Sequence, residues 1–112
     1  MLLTRTIMLV RYFTATVSRA NAPKYYTFFR NTLTPELERI PGHRGALVLS
    51  NELDRDPVEL TVLTFWESQQ AIRLFAGDTA NRAVVEPEAR ELLASFNEIV
   101  TEHVVEVDTL QH

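Results

Sequence analysis

Residues 45–68 read GALVLSNELDRDPVELTVLTFWES, and the fold turns on the two segments they hold. Gly45 to Glu52 (GALVLSNE) and Val58 to Glu67 are rich in aliphatic and aromatic residues and read as strands. Between them lies a polar patch, Leu53 to Pro57, in which Asp54, Asp56 and Pro57 favour a turn. Two strands joined by so short a connection form an antiparallel hairpin.

Working outward, Arg5 to Phe13 carries Ile, Leu, Val, Tyr and Phe and reads as a first strand. Asn21 is placed to cap a helix with Pro23 in its first turn, where a missing N–H costs little. Tyr25, Phe29, Leu33, Leu37 and Ile40 recur at helical spacing. Thr34-Pro35 falls inside that stripe and predicts a kink or a restart, and Pro41-Gly42 ends the helix. Past the hairpin, Ser68 is a cap for a helix over Gln69 to Ala76, with Gly77 stopping it in a left-handed conformation. Pro87 and Glu88 open another helix, whose buried face is expected to be Ala89, Leu92, Leu93 and Phe96. Val100 to Val107 closes the chain as a fourth strand.

The order is β-α-β-β-α-(α)-β, the split βαβ pattern. The expected fold class is therefore α+β and ferredoxin-like: an antiparallel four-stranded sheet with helices on one face. No repeat, linker or low-complexity tract interrupts residues 1–112, which are read as a single domain.

Composition removes several function classes. Cysteine is absent, so there is no disulfide framework, thiolate nucleophile or thiolate metal site. The net charge is −4 with both signs interspersed and no basic run, so no nucleic-acid partner is expected. No segment approaches the roughly 20 apolar residues that span a bilayer, so no membrane association is expected and a cytoplasmic location is the default. There is no Gly-rich phosphate cradle, no His-Glu pair at metal-ligand spacing and no Ser-His-Asp logic. No metal site is expected.

The strands nearest the hairpin are apolar on both faces. In the third strand Leu63 and Phe65 point one way and Leu60, Val62 and Trp66 the other; in the first, Ile7, Leu9 and Phe13 oppose Met8, Val10 and Tyr12. A sheet with one wet face would alternate. The simplest cover for the second face is the same face of another copy about a two-fold axis, so a homodimer is expected.

Thr64-Phe65-Trp66-Glu67-Ser68, then Ala71-Ile72 and Phe75-Ala76-Gly77-Asp78, resemble the signature of antibiotic biosynthesis monooxygenase domains. Arg82-Ala83-Val84-Val85, Pro87-Glu88, His103 and Glu106-Val107 continue the resemblance, and Pro41 to Ala46 is similar to the family's helix-to-strand junction. The resemblance covers nearly the whole chain. It implies a dimeric α+β barrel with a pocket between sheet and helices in each subunit. Some members of that family oxygenate polycyclic aromatic compounds without flavin or metal, and related members degrade haem. The implied function is a cofactor-independent monooxygenase acting on an aromatic or polyketide-like small molecule, with a non-catalytic apolar binding protein as the alternative.

On that resemblance the candidate catalytic residues are Trp66 and His103. Trp66, the sole tryptophan, either shapes a pocket or plugs the join between strand and helix. His103 either does acid–base work or sits on a partly wet strand beside Glu102 and Glu106. Tyr12, Tyr25, Phe29, Phe65 and Phe75 are the expected ligand-binding aromatics. His43, in a Pro-Gly turn, is expected to be exposed, and His112 to be a frayed end. Haem-degrading relatives carry an axial histidine after the Trp-Glu-Ser motif and an asparagine on the first strand. Here Gln69 to Phe96 holds no histidine and Arg5 to Phe13 no asparagine, so haem is not an expected cofactor.

Overall fold

Two nine-residue strands, β1 (Leu9–Val17) and β3 (Val58–Trp66), lie side by side at the centre of an antiparallel sheet. Between them in the chain come α1 (Ala22–Phe28), a π-helical turn (Phe29–Leu33), α2 (Thr34–Glu38) and β2 (His43–Ser50). After β3 follow α3 (Gln69–Ala76), α4 (Pro87–Leu92), β4 (Leu93–Phe96) and β5 (Thr101–Val104). This computed structural model describes residues 7–51 and 55–110. The expected strand start at Arg5, the strand end at Glu52, the turn residues Leu53 and Asp54, and His112 lie outside them.

The sheet runs β2-β3-β1, and the far edge of β1 is shared by β4 and β5. All four expected sheet positions are present, in the order of the split βαβ fold. The fourth is filled by two short strands because the chain leaves the sheet between them. Asn97 keeps one bond to Thr14, and its side chain then accepts the N–H of Ile99, turning the backbone outward. Ala83 donates to the Glu98 carbonyl and Val100 to that of Asn81, so the segment leading from α3 to α4 is laid against this interruption.

Three expectations are corrected. The first strand runs to Val17 because Ala15 and Val17 continue its buried parity with smaller side chains. The fourth helix stops at Leu92, and Leu93 and Phe96 belong to β4. Leu93 pairs with Val17 and Phe96 with Ala15, with a register shift between them. This bulge puts residues three apart on one face, which imitates helical spacing. Asn21 stands at the N-cap of α1, but its side chain donates to the Leu92 carbonyl (3.2 Å) and ties α1 to the end of α4.

The Thr34-Pro35 break is met without ending the helical path. The backbone N–H of Thr34 reaches back five residues to the Phe29 carbonyl, which its hydroxyl also bonds at 2.9 Å. This wider turn makes room for a proline ring that would press on the carbonyl four residues earlier. Ser68 caps α3 by accepting the Ala71 N–H at 3.1 Å, and Gly77 ends it at φ +71°, with ψ −159° lying outside the left-handed helical well.

Register fixes the two faces. Leu9, Arg11, Phe13, Ala15 and Val17 stand opposite Trp66, Thr64, Val62, Leu60 and Val58, and all of these point toward the helices. Val17, Leu37, Leu60, Trp66 and Ile72 are the fully buried centre of the core. The other face carries Val10, Tyr12, Leu47, Leu49, Leu63 and Phe65. In the single chain Tyr12, Leu47 and Leu49 are 41%, 42% and 44% exposed, so this second face is apolar and uncovered.

Candidate functional site

The helix-side face of the sheet does not close completely against the helices. A cavity of about 60 Å³ remains, floored by Arg11, Phe13, Val62 and Thr64 and walled by Tyr25, Phe28, Phe29 and Phe75. Val84, Val85 and Glu86, from the connection before α4, complete its rim. The space has room for a few water molecules and is smaller than the roughly 300–1,000 Å³ usual for a site filled by a drug-sized ligand. A polycyclic ligand therefore requires Phe75 or the rim segment to move. A second, wider groove of about 760 Å³ follows the edge of β2, but charged side chains (Arg30, Glu38, Arg44) share its walls.

One end of the cavity is polar. Arg11 is only 3% exposed and lies directly across from Thr64, 8% exposed. The guanidinium donates through Nη1 to the Ala80 carbonyl and through Nη2 to that of Arg82 at 3.0 Å, so it clamps the rim segment onto β1. It also lies 5.6 Å from the Phe75 ring centre. Burial lowers its pKa, and the charge of Glu102 on the neighbouring strand opposes that shift. Tyr25 contributes a protonated phenol, its pKa pushed up to about 12 by burial. At the rim the carboxyl of Glu86 is raised by a side-chain hydrogen bond with Glu36, then by burial and by the charges of Glu36 and Glu88.

Trp66 stands one layer behind the cavity. It is completely buried, stacked on Phe75 with centroids 5.3 Å apart, and its indole N–H donates to the Thr64 hydroxyl at 2.8 Å. Both of those neighbours line the cavity. His43 closes the opposite side of the indole edge-on, with centroids 5.0 Å apart. This corrects the expected exposure of His43: the bulge between His43 and Gly45 turns the ring inward beside its strand partner Trp66. Its Nε2 is buried without a hydrogen-bond partner, and burial lowers its pKa against the opposing effects of Glu38 and a backbone bond at Gly45.

Of the expected ligand-binding aromatics, Tyr25, Phe29 and Phe75 line the cavity. Tyr12 and Phe65 lie on the other face of the sheet. So does His103, which pairs with Val10, bonds Thr101 at 2.9 Å and stands edge-on to Tyr12. Arg11 and Glu86 are cavity groups that the residue patterns did not single out, and Thr64 entered only as part of the Thr64-to-Ser68 signature. The signal for Arg11 was available, since a cation occupies the same strand parity as Leu9 and Phe13. Arg82 forms an exposed 3.8 Å pair with Glu98, worth at most about 1 kcal/mol. Among the described residues no group of three or more His, Asp or Glu side chains is arranged to hold a metal ion, and no helix is long and apolar enough to cross a membrane.

The architecture defines a ferredoxin-like α+β domain with an aromatic-walled cavity between sheet and helices. The same fold is found in a haem-degrading protein from Mycobacterium tuberculosis in its haem-free form. That match has a TM-score of 0.65 and 18% identity, covering 96% of this chain and 100% of the other. A Bacillus cereus protein assigned to the antibiotic biosynthesis monooxygenases superposes with TM-score 0.60 and 17% identity, over 93% and 98% of the two chains. A Streptomyces coelicolor monooxygenase in complex with nanaomycin D matches at TM-score 0.55 and 18% identity, over 96% and 93%. Comparison of the sequence with family models and with curated proteins gives no match. The chain thus has the fold of antibiotic biosynthesis monooxygenase-type proteins.

Haem does not fit the cavity in this geometry. None of its lining residues is a histidine, and its volume of about 60 Å³ is far below a porphyrin's.

Proposed function

We propose that the chain is a homodimeric, cofactor-independent monooxygenase whose substrate is an aromatic small molecule held between sheet and helices. The observation that supports this reading most directly is the cavity itself, with aromatic walls, a buried polar end and the sole tryptophan behind it. The shared fold with monooxygenases supports it at the level of architecture. In this reading Trp66 acts on the ligand through Thr64 and Phe75, while His103 faces away from the reacting centre. The small cavity favours a second reading, a binding protein for a compact aromatic ligand without turnover.

Oxygen consumption with a hydroxylated polycyclic quinol, free of added flavin or metal and corrected for autoxidation, separates the two. Uptake that saturates with quinol and drops at least tenfold in Trp66→Phe supports the oxygenase. Saturable binding with no uptake across a panel of quinols leaves the binding protein.

A further inference from the structure

We propose that Arg11 and Thr64 together form a seat for an anionic oxygen, so that the cavity selects an aromatic ligand carrying one negative charge, a carboxylate, phenolate or enolate. This deepens the reading of the cavity as an aromatic-ligand site and rests on it. The guanidinium is nearly fully buried, and arginine does not lose its proton in a protein. Among the described residues no carboxylate is in ion-pair contact with it. Two neutral carbonyls occupy two of its five N–H groups, which leaves three donors. Glu102 lies beside Arg11 at more than contact distance with one oxygen engaged by Gln69, and a buried cation so partly compensated is still costly, a cost that a ligand anion in direct contact lowers.

Thr64 adds a donor for a separate reason. An indole N–H can only donate, so the Thr64 oxygen is the acceptor in their 2.8 Å bond. The hydroxyl proton is then free to point elsewhere, and the cavity is one of the places the side chain borders. Arg11 and Thr64 are direct cross-strand partners on the cavity floor, so two donors converge on one region. The surrounding charges fix the orientation. Glu102, the partner of Arg11 on β5, has a carboxylate oxygen that accepts from Gln69 at 2.6 Å, while Glu86 sits at the rim with Glu36 and Glu88 nearby. An anion is repelled at the acidic rim and held at the floor, with its ring system between Tyr25, Phe29 and Phe75.

The test compares 2-naphthoate with 2-naphthamide, which have nearly the same shape and differ in charge. Binding is followed on the intact chain by the single indole N–H resonance of Trp66. Naphthoate is expected to bind roughly tenfold or more tightly, the size of one charge-assisted hydrogen bond, and to move the Trp66 resonance. Arg11→Met should bring its affinity down to that of naphthamide, whereas a residue that only clamped the rim would weaken both ligands alike. Equal binding of the two with the same Trp66 shift overturns the anion seat and leaves the aromatic cavity standing. Preference for naphthoate without a Trp66 shift, or one that survives Arg11→Met, places the anion on the surface and also overturns it. If neither compound moves the resonance at millimolar concentration, the cavity reading itself falls and the seat with it. The wild-type comparison stands even if Arg11→Met fails to fold.

Discussion

The indole N–H of Trp66 donates to the hydroxyl of Thr64, 2.8 Å away, two residues earlier on the same strand. Residues i and i+2 of a strand share a face, and this pair uses that periodicity to satisfy a fully buried polar group. Thr64→Val keeps the volume and strands the N–H, so it should cost about 1–3 kcal/mol. Trp66→Phe removes the donor and some ring volume. The double variant should be less destabilised than the sum of the two, because both ends of the bond are then gone. Denaturant titrations of the four proteins measure that coupling, and strict additivity would mean that the bond contributes nothing.

A second prediction follows at Gly42, where φ is +92°. A Cβ there would lie 2.5 Å from the Cβ of Ala71 and 2.9 Å from Cγ of Glu67. The Gly42 carbonyl accepts the Glu67 N–H at 2.8 Å, so backbone adjustment would break the joint between β3 and the start of α3. Gly42→Ala should therefore lower stability by roughly 1–3 kcal/mol from overpacking, with left-handed strain added. Thermal unfolding checks this, and an unchanged midpoint would contradict the close approach.

The sheet order, the central hairpin and the α3 cap were legible because each rests on a local pattern: strand periodicity, a polar turn, or a serine before a helix. What escaped were features set by register. Leu93 and Phe96 read as a helix face because a bulge opposite Thr16 and Val17 gives them three-residue spacing. His43 read as a turn residue because nothing in Pro41-Gly42-His43 shows that β2 bulges and swings the ring onto Trp66. The cavity was legible as a cluster of aromatics, but which of them line it depends on strand parity. That parity sends Tyr12 and Phe65 to one face and Phe13 to the other.

His43 makes stability depend on pH with a definite sign. Its folded pKa lies below the ordinary 6.5, chiefly through burial, whereas the unfolded chain takes up its proton near 6.5. Between those two values the unfolded state binds more protons, so stability falls as pH drops through that window and levels off below it. At pH values above 6.5 both states are neutral and the contribution is flat. His43→Gln should remove this component. Wild-type and variant unfolding measured from pH 7.5 to 5 should converge in slope if His43 carries no shift.

The last prediction concerns the uncovered face of the sheet. Tyr12, Leu47 and Leu49 are each more than two fifths exposed in the single chain, and Leu63 and Phe65 lie among them on the same face. Contiguous apolar surface of this kind marks an association site, and self-association about a two-fold axis needs no second protein. Light scattering should then give twice the 12.8 kDa chain mass at micromolar concentration. Leu47→Glu places a charge on that face without touching the cavity floor, because Leu47 pairs with Leu63 on the side away from the helices. It should shift the mass toward that of one chain while the Trp66 indole resonance keeps its position. A wild-type protein that scatters as a single chain would remove the dimer, and a Leu47→Glu protein that stays dimeric would move the interface elsewhere.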